Sequence, residues 1–185
     1  MVCAQEACWQ LELESVVLTP LREAPHRQAE LDPGPEERYE LCRAAVAGDE
    51  RLRVSRVELD RPGPSYTVDT LRLLREESPQ DDFVLIMGAD AAVTLHTWRE
   101  PEELLRLATV AVAERENVPR DAVEAVLRQF PGANQVSYFR MPGIAISSTM
   151  VRERIAQGRP IRYLVPEGVG RRIEDAGLYR PGGAS

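Results

Sequence analysis

Short apolar runs alternate with helical patterns along most of the chain, and this alternation restricts the fold more than any other feature. Five runs predict strands, at residues 15–19, 52–59, 83–87, 109–113 and 135–139. Helical spacing of apolar residues separates these runs and also precedes the first of them, at residues 2–11. Strands that alternate with helices are typical of a parallel sheet covered by helices on both faces. The sequence therefore predicts one α/β domain over residues 1–185, built on a doubly wound, mostly parallel sheet.

Charge and composition argue against several classes of function. The formal charge of −7 is unlike that of a nucleic-acid-binding protein, which is usually basic. Every apolar run is far shorter than the ~20 residues that span a membrane. The chain has three cysteines, an odd number, and its two histidines lie far apart. Neither the cysteines nor the histidines have the spacing of a metal site. We therefore expect a cytoplasmic protein with reduced thiols that binds neither nucleic acid nor membrane and has no metal ligands of its own.

Polar residues follow the predicted strands at their carboxyl ends, where open parallel sheets bind ligands. Gly88 and Asp90 follow residues 83–87, and Arg115 follows residues 109–113. A glycine at a strand end lets a ligand approach the backbone, and a carboxylate accepts hydrogen bonds from ribose hydroxyls. An alternative is a plain glycine turn in which Asp90 caps a helix, and the sequence leaves both interpretations open.

Four other residues are weaker candidates. His26 and Arg27 follow the first predicted strand and suit a phosphate, although a solvated loop explains them equally well. Thr67 is a plausible N-cap of the helix at residues 68–77, which would leave an anion-binding helix start. Trp98 is either a lid over the core or a ring on which a base stacks.

The stretch at residues 143–152 combines an extended apolar run with a helix start. The run ends at Ile146, and Ser147 or Ser148 can cap the helix that follows. The free backbone N–H groups and the positive end of the helix dipole suit a phosphate. Arg152 lies one turn into this helix and can add a bidentate cationic contact. A capped helix with a surface arginine is the plainer alternative.

These candidates together predict a nucleotide site with a ribose acceptor, a stacking ring and several phosphate-binding groups. The sequence offers no pair that resembles a nucleophile with its base. Catalysis by positioning and charge neutralisation therefore fits better than covalent catalysis.

Several motifs of the chain resemble those of the bacterial nicotinate-nucleotide adenylyltransferases, and the resemblance covers nearly its whole length. The motifs are SYTVDTL at residues 65–71, GAD at 88–90, HTW at 96–98, ISSTMVR at 146–152, YLVP at 163–166 and GLY at 177–179. Four of them in order and at suitable spacing are specific, whereas each one by itself is weak. The resemblance implies a Rossmann-like fold.

The resemblance also implies a role for each candidate. The nicotinate ring and its carboxylate would lie near Thr67, with Trp98 stacking. The phosphate of the mononucleotide would approach Arg115 and Arg27. The ATP ribose would contact Gly88 and Asp90, Ile146 would line the adenine pocket, and Arg152 would act in catalysis on the ATP phosphates. The other phosphate-binding residues implied are Ser147, Ser148 and Thr149.

In the reaction that the resemblance implies, the phosphate of nicotinate mononucleotide attacks the α-phosphate of ATP in the presence of Mg²⁺. The products are nicotinate adenine dinucleotide and pyrophosphate.

The chain departs from the family at its beginning. Family members start with a strand, a glycine-rich turn and an H-x-G-H motif whose histidines contact the ATP phosphates, whereas this sequence begins inside the helix that follows. His26 and His96 belong to other segments and do not replace them. We expect a chain start that was placed too late. The alternatives are a nucleotide-binding protein without catalysis and an adenylyltransferase for another phosphate monoester, such as phosphopantetheine. Self-association to a homo-oligomer is left open.

Overall fold

The computed structural model of the protein describes residues 1–23, 32–131 and 136–180. Its helices are α1 (Val2–Gln10), α2 (Pro35–Val46), α3 (Thr67–Glu77), α4 (Ala89–Ala92), α5 (Pro101–Leu107), α6 (Arg120–Leu127), α7 (Ser148–Ala156) and α8 (Glu167–Asp175). Its strands are β1 (Val16–Leu18), β2 (Leu52–Val54), β3 (Val84–Gly88), β4 (Thr109–Ala113) and β5 (Val136–Phe139). The chain divides into two compact units. Unit 1 comprises Met1–Val16 and Ser65–Pro142, and unit 2 comprises Val17–Pro64 and Gly143–Ser185.

Unit 1 is built on a parallel sheet in the order β3-β4-β5. Met87 of β3 lies beside Val112 of β4, and Ala113 of β4 lies beside Phe139 of β5. Because β4 has a strand on each side, four of its five residues are buried. The predicted parallel α/β arrangement is therefore confirmed.

Alternate residues of this sheet face two different apolar clusters, as the two-residue period of a strand requires. Val110 and Val112 pack in a cluster with Leu71 of α3 and Leu104 of α5. Ala111 and its neighbours on the opposite face pack in a second cluster, which contains Ala7 of α1. Helices therefore cover both faces of the sheet, as the near-continuous apolar strands predicted.

The first helix presents the stripe that its sequence predicted. Cys3, Ala7 and Leu11 all belong to the second cluster, with Phe139 of β5. Trp9 points away from it and is 76% exposed. The cysteines are free, and burial raises the pKa of the Cys3 thiol, so this thiol stays protonated at neutral pH.

Unit 2 consists of the strand pair β1-β2 and a helical core. Helices α2 and α8 pack together, and an added Cβ on Gly168 of α8 would lie 3.0 Å from the Ala44 carbonyl oxygen of α2. A side chain would not fit at that crossing, so packing explains this glycine. Arg172 of α8 donates two hydrogen bonds of 2.6 Å to Glu37 of α2. The Arg172–Glu37 ion pair therefore lies at the contact between α2 and α8.

The strand predictions were wrong in three places. The strand expected at residues 52–59 ends at Val54, because the Ser55 hydroxyl accepts a hydrogen bond from the Val57 N–H and turns the chain. Val17 of β1 was expected to be buried and is 44% exposed, since it faces away from Val16. The five consecutive apolar residues 83–87 predict a strand buried on both faces, yet of these residues Met87 alone is buried, whereas β4, with a strand on each side, has four buried residues.

One loop prediction was also wrong. The sequence of residues 95–98 predicts a loop that carries Trp98, but Leu95–Thr97 is a 3₁₀ helix whose Leu95 is fully buried. The Trp98 N–H donates to the Leu95 carbonyl at 3.0 Å, so burial of Leu95 and this bond fix the segment that carries Trp98.

Candidate functional site

Unit 1 brings three of the predicted site residues together at the carboxyl ends of β3 and β4. Arg115 Nε lies 3.1 Å from Asp90 Oδ2, and each side chain is 53% exposed. An added Cβ on Gly88 would lie 3.7 Å from the same Arg115 nitrogen. The three residues meet because β3 and β4 are adjacent and parallel. A carboxylate and a guanidinium that are both half exposed can each exchange their partner for a ligand.

The alternative in which Asp90 caps a helix is wrong. Gly88 is the N-cap of α4, and Asp90 lies within the first turn of that helix. Its carboxylate points to Arg115 instead of the helix start.

A pocket of about 420 Å³ opens beside Arg115 within unit 1. Its lining includes Ala89, Glu114, Arg115, Arg120, Tyr138 and Arg140. Glu114 offsets part of the positive charge, since it lies 3.4 Å from the Arg140 guanidinium. The Arg120 guanidinium lies 3.8 Å from the centre of the Tyr138 ring, and burial raises the pKa of that phenol. The pocket therefore offers guanidinium groups and a neutral phenol, which suit a small ligand with an anionic group.

Trp98 and Tyr66, the residue before Thr67, pack against one core cluster of unit 1. Thr67 is the first residue of α3, and the N-cap is Tyr66, so the prediction that Thr67 is the cap was wrong. The helix begins one residue earlier than its apolar periodicity indicated. Trp98 is half-buried and packs, together with Tyr66, against the core cluster that contains Val68. Partial exposure leaves part of the indole available to a ligand.

Unit 2 carries the predicted phosphate-binding segment. Residues 142–149 are exposed, and the stretch before α7 is irregular, so the expected extended run forms no strand within the described residues. Ser147 is the N-cap of α7 and accepts a hydrogen bond of 3.1 Å from the Met150 N–H, as predicted. Ser148 begins the helix, and Ile146 is 42% exposed. The backbone at this helix start is accessible to an anion.

Arg152 lies on the same turn of α7 as Thr149. Its Nη2 is 3.5 Å from the Thr149 hydroxyl, a long hydrogen bond that a phosphate would readily replace. The two side chains therefore approach each other beside the helix start, as their spacing of three residues predicts.

Two predicted residues, His26 and Arg27, lie outside the described residues.

The sequence alone did not identify two features of unit 1. The pocket beside Arg115 gave no signal, because its residues come from separate segments. The charged residues around Trp98, namely Asp69, Arg72, Arg99 and Glu100, looked like ordinary exposed charges. Asp69 lies inside the SYTVDTL motif and Arg99 adjoins Trp98, so position relative to the motifs was the available signal.

Two further features, a metal-binding cluster and a membrane-spanning helix, are absent from the described residues. Among residues 1–23, 32–131 and 136–180, no group of three histidine, cysteine or carboxylate side chains is arranged to hold a metal ion. Within the same ranges, no helix combines the length and apolar character needed to cross a membrane.

Known proteins with similar sequences point to one family. The family model described as cytidylyltransferase-like matches residues 1–154. A protein of Desulfitobacterium hafniense named "Probable nicotinate-nucleotide adenylyltransferase" is 40% identical over 182 residues, which cover 97% of this chain and 88% of that protein. A protein of Thermus thermophilus with the same name is 43% identical over 97% of this chain and 91% of its own length.

Solved structures show the same fold. The nicotinic acid mononucleotide adenylyltransferase of Plasmodium falciparum, complexed with NaAD, superposes with a TM-score of 0.69 at 17% identity. The alignment covers 90% of this chain and 83% of that one. The complex of the same protein with APC gives a TM-score of 0.67 at 18% identity. At 17–18% sequence identity, these superpositions show that the fold is shared.

Proposed function

The chain belongs to the cytidylyltransferase-like family and, within it, to the nicotinate-nucleotide adenylyltransferases, and from this membership we propose how its residues carry out the reaction. It transfers the adenylyl group of ATP to nicotinate mononucleotide, a step of NAD biosynthesis. The observation that carries this conclusion is the identity of 40% or more to such proteins over 97% of the chain. The donor would be the Mg²⁺ complex of ATP.

The chemistry is an in-line displacement at phosphorus. A phosphate oxygen of nicotinate mononucleotide forms a bond to the α-phosphorus of ATP, the bond from that phosphorus to the bridging oxygen breaks, and pyrophosphate leaves. Negative charge grows on the leaving phosphates as the bond breaks. The main task of the protein is therefore to align the two phosphates and to neutralise this charge.

In unit 2, the start of α7 and Arg152 are suited to the phosphates of ATP. The exposed backbone at Ser148 and Thr149 lies at the positive end of the helix dipole. Arg152 would release the Thr149 hydroxyl and bind a phosphate oxygen, where it stabilises the leaving group. Ile146, half exposed before the cap, would contact the adenine ring.

In unit 1, the residues around β3 and β4 are suited to the acceptor and the ribose. Arg115, at the edge of the 420 Å³ pocket, would bind the phosphate of the mononucleotide. Asp90 would then accept hydrogen bonds from the ATP ribose, with Gly88 leaving room for the sugar. Trp98 would stack on the nicotinate ring and Thr67 would contact its carboxylate. Arg27 would add a second phosphate contact. A cytoplasmic location stays a prediction, and self-association stays open.

The alternative functions are not favoured by the relatives. Nucleotide binding without catalysis and transfer to phosphopantetheine would both leave the acceptor-side motif at residues 65–71 without a role. The relatives compared above carry the name of the nicotinate-nucleotide enzyme over nearly the full length of the chain. These alternatives serve as outcomes of the test.

An acceptor panel tests the proposal. The chain would be given ATP and Mg²⁺ with nicotinate mononucleotide, nicotinamide mononucleotide or phosphopantetheine, and pyrophosphate and the adenylylated product would be measured. A carboxylate contact predicts a preference of roughly tenfold or more for the nicotinate form over the amide. Equal rates with phosphopantetheine, or saturable ATP binding without pyrophosphate release, would contradict the proposal.

A further inference from the structure

Four charged side chains close a ring between the first turn of α3 and the segment that carries Trp98. Asp69 lies 3.2 Å from Arg72 and 3.4 Å from Arg99. Glu100 lies 2.5 Å from Arg72 and 3.4 Å from Arg99. Each carboxylate therefore contacts both guanidinium groups, and each guanidinium contacts both carboxylates. We call these four residues the ion-pair ring.

One member of the ion-pair ring, Glu100, has an unusual backbone conformation. Glu100 has a φ of 49°, in the left-handed region that residues other than glycine rarely adopt. It precedes Pro101, and the residue before a proline normally prefers an extended conformation. Such a conformation persists where the surroundings hold it, and here two arginines hold the Glu100 side chain. The ion-pair ring therefore contacts the side chain of the residue at which the chain turns into α5.

Aromatic packing couples the ion-pair ring to the candidate acceptor residues. The Arg99 guanidinium lies 4.7 Å from the centre of the Tyr66 ring. Tyr66 and Trp98 pack against the same core cluster, and Tyr66 is the N-cap immediately before Thr67. The ring is thus anchored on one side two residues after Thr67 and on the other at the two residues that follow Trp98.

Two members of the ion-pair ring, Arg72 and Glu100, stabilise each other's charged form. The Arg72 guanidinium holds the pKa of the Glu100 carboxyl below its usual range, and Glu100 in turn raises the pKa of Arg72. Isolated exposed ion pairs contribute little, but charges joined in a closed network constrain each other's geometry.

We propose that the ion-pair ring positions Trp98 against the start of α3 and thereby sets the affinity for the acceptor base. Asp69, Arg72, Arg99 and Glu100 are positioning residues that act through Trp98 and Thr67. The identity of the acceptor rests on the proposed function. The fixing of Trp98 does not rest on it, so the two can fail separately.

The experiment uses the full chain with Trp9→Phe, which leaves Trp98 as the remaining tryptophan of the two in the sequence. Trp9 is 76% exposed, so this background change should be tolerated. Arg72→Gln removes two sides of the ion-pair ring at a residue that the proposed function does not place against either substrate. Arg128→Gln is the matched control, because it removes an exposed pair with Glu124 on α6, also in unit 1.

Three readouts are compared between these variants: quenching of Trp98 fluorescence by acrylamide, KM for each substrate, and kcat. The proposal predicts that Arg72→Gln makes Trp98 easier to quench. It also predicts a rise in KM for nicotinate mononucleotide of about tenfold, with KM for ATP and kcat nearly unchanged. Arg128→Gln should leave all three readouts unchanged.

Three results discriminate between the explanations. If Arg72→Gln lowers the Tm but leaves Trp98 quenching as it is in the control, the ring only stabilises the fold and the proposal is overturned. If quenching increases while KM for nicotinate mononucleotide stays constant, the claim that the ring sets acceptor affinity is overturned. If the parent chain fails to use nicotinate mononucleotide while Arg72→Gln still exposes Trp98, the proposed function fails and the fixing of Trp98 stands. Should Arg72→Gln not fold, the isosteric Asp69→Asn, which weakens the contacts of Asp69 with Arg72 and with Arg99, replaces it.

Discussion

The candidate residues of unit 1 and unit 2 are held in different ways. In unit 1, Asp90 and Arg115 hold each other, and Trp98 packs on the core beside the ion-pair ring. In unit 2, the residues from Ile146 to Thr149 are exposed, and Ser147 is fixed by one cap bond. The candidate acceptor residues of unit 1 are thus held by contacts that form without a ligand. The candidate phosphate-binding residues of unit 2 are an exposed helix start and Arg152, which makes one long hydrogen bond to the Thr149 hydroxyl.

The largest effect is expected at Arg152 in unit 2. Arg152→Ala removes a cation from the leaving phosphates, which should lower kcat/KM by roughly 10²–10³-fold, as for other groups that stabilise transition-state charge. The fall should appear mainly in kcat, measured by pyrophosphate release. Arg171→Ala on α8, an exposed arginine paired with Glu167, is the control. A change confined to KM for ATP would mean that Arg152 binds the ground state and has no catalytic role.

Arg115 of unit 1 should give a smaller effect of another kind. Arg115→Ala removes a charged contact to the acceptor phosphate, so KM for nicotinate mononucleotide should rise by roughly 10- to 100-fold. Steady-state kinetics with each substrate varied in turn would measure this, with Arg128→Ala as the control. An equal rise in KM for ATP would remove the distinction between the two sets of residues.

Gly88 in unit 1 is a candidate ligand-binding position, whereas Gly168 in unit 2 is a packing position. Gly168→Ala should destabilise the protein by about 1 kcal/mol, because the clash with the Ala44 carbonyl outweighs the gain in helix propensity. Gly88→Ala meets its nearest neighbour at 3.7 Å, so stability should be unchanged while ATP affinity falls. Urea unfolding and ATP titration of both variants would decide. A stable Gly168→Ala, or a Gly88→Ala that binds ATP normally, would reverse these assignments.

The smallest effect is a pH dependence in unit 2. The hydrogen bonds from Arg172 hold the pKa of Glu37 below its usual value of 4.5. A depressed pKa means that this contribution to stability is complete above pH 4.5 and is lost as the pH falls through the lower, folded-state value. Because Arg172 is 42% exposed, solvent screens the pair and the Tm difference should be a few degrees at most.

Thermal unfolding of the parent chain and Glu37→Gln from pH 3 to pH 7 would measure this dependence. The two curves should separate at neutral pH and converge in acid. A separation that grows as the pH falls would contradict the assignment.

The apolar patterns predicted the fold well where packing follows periodicity. Residues 109–113 form β4 as expected, since four consecutive buried positions admit few other structures. The stripe of Cys3, Ala7 and Leu11 faces the core because helical spacing places it there. The predicted strand at residues 52–59 failed because a single side chain, Ser55, offered the backbone a competing hydrogen bond.

The site could be predicted where strand ends determine it. Gly88, Asp90 and Arg115 meet because adjacent parallel strands end at one edge. The ion-pair ring could not be predicted, because Arg72 and Glu100 are 28 residues apart and look like ordinary surface charges. Their contact depends on how α3 and α5 pack, which the sequence of either helix leaves undetermined.

The most direct test of this account is one time course in which pyrophosphate and dinucleotide are counted together. The 185-residue chain would be given nicotinate mononucleotide, ATP and Mg²⁺, and both products would be quantified by mass. The account predicts equal amounts of pyrophosphate and nicotinate adenine dinucleotide, each dependent on both substrates. Pyrophosphate without dinucleotide, or bound ATP with neither product even when the family's strand, glycine-rich turn and H-x-G-H motif are supplied ahead of residue 1, would contradict it.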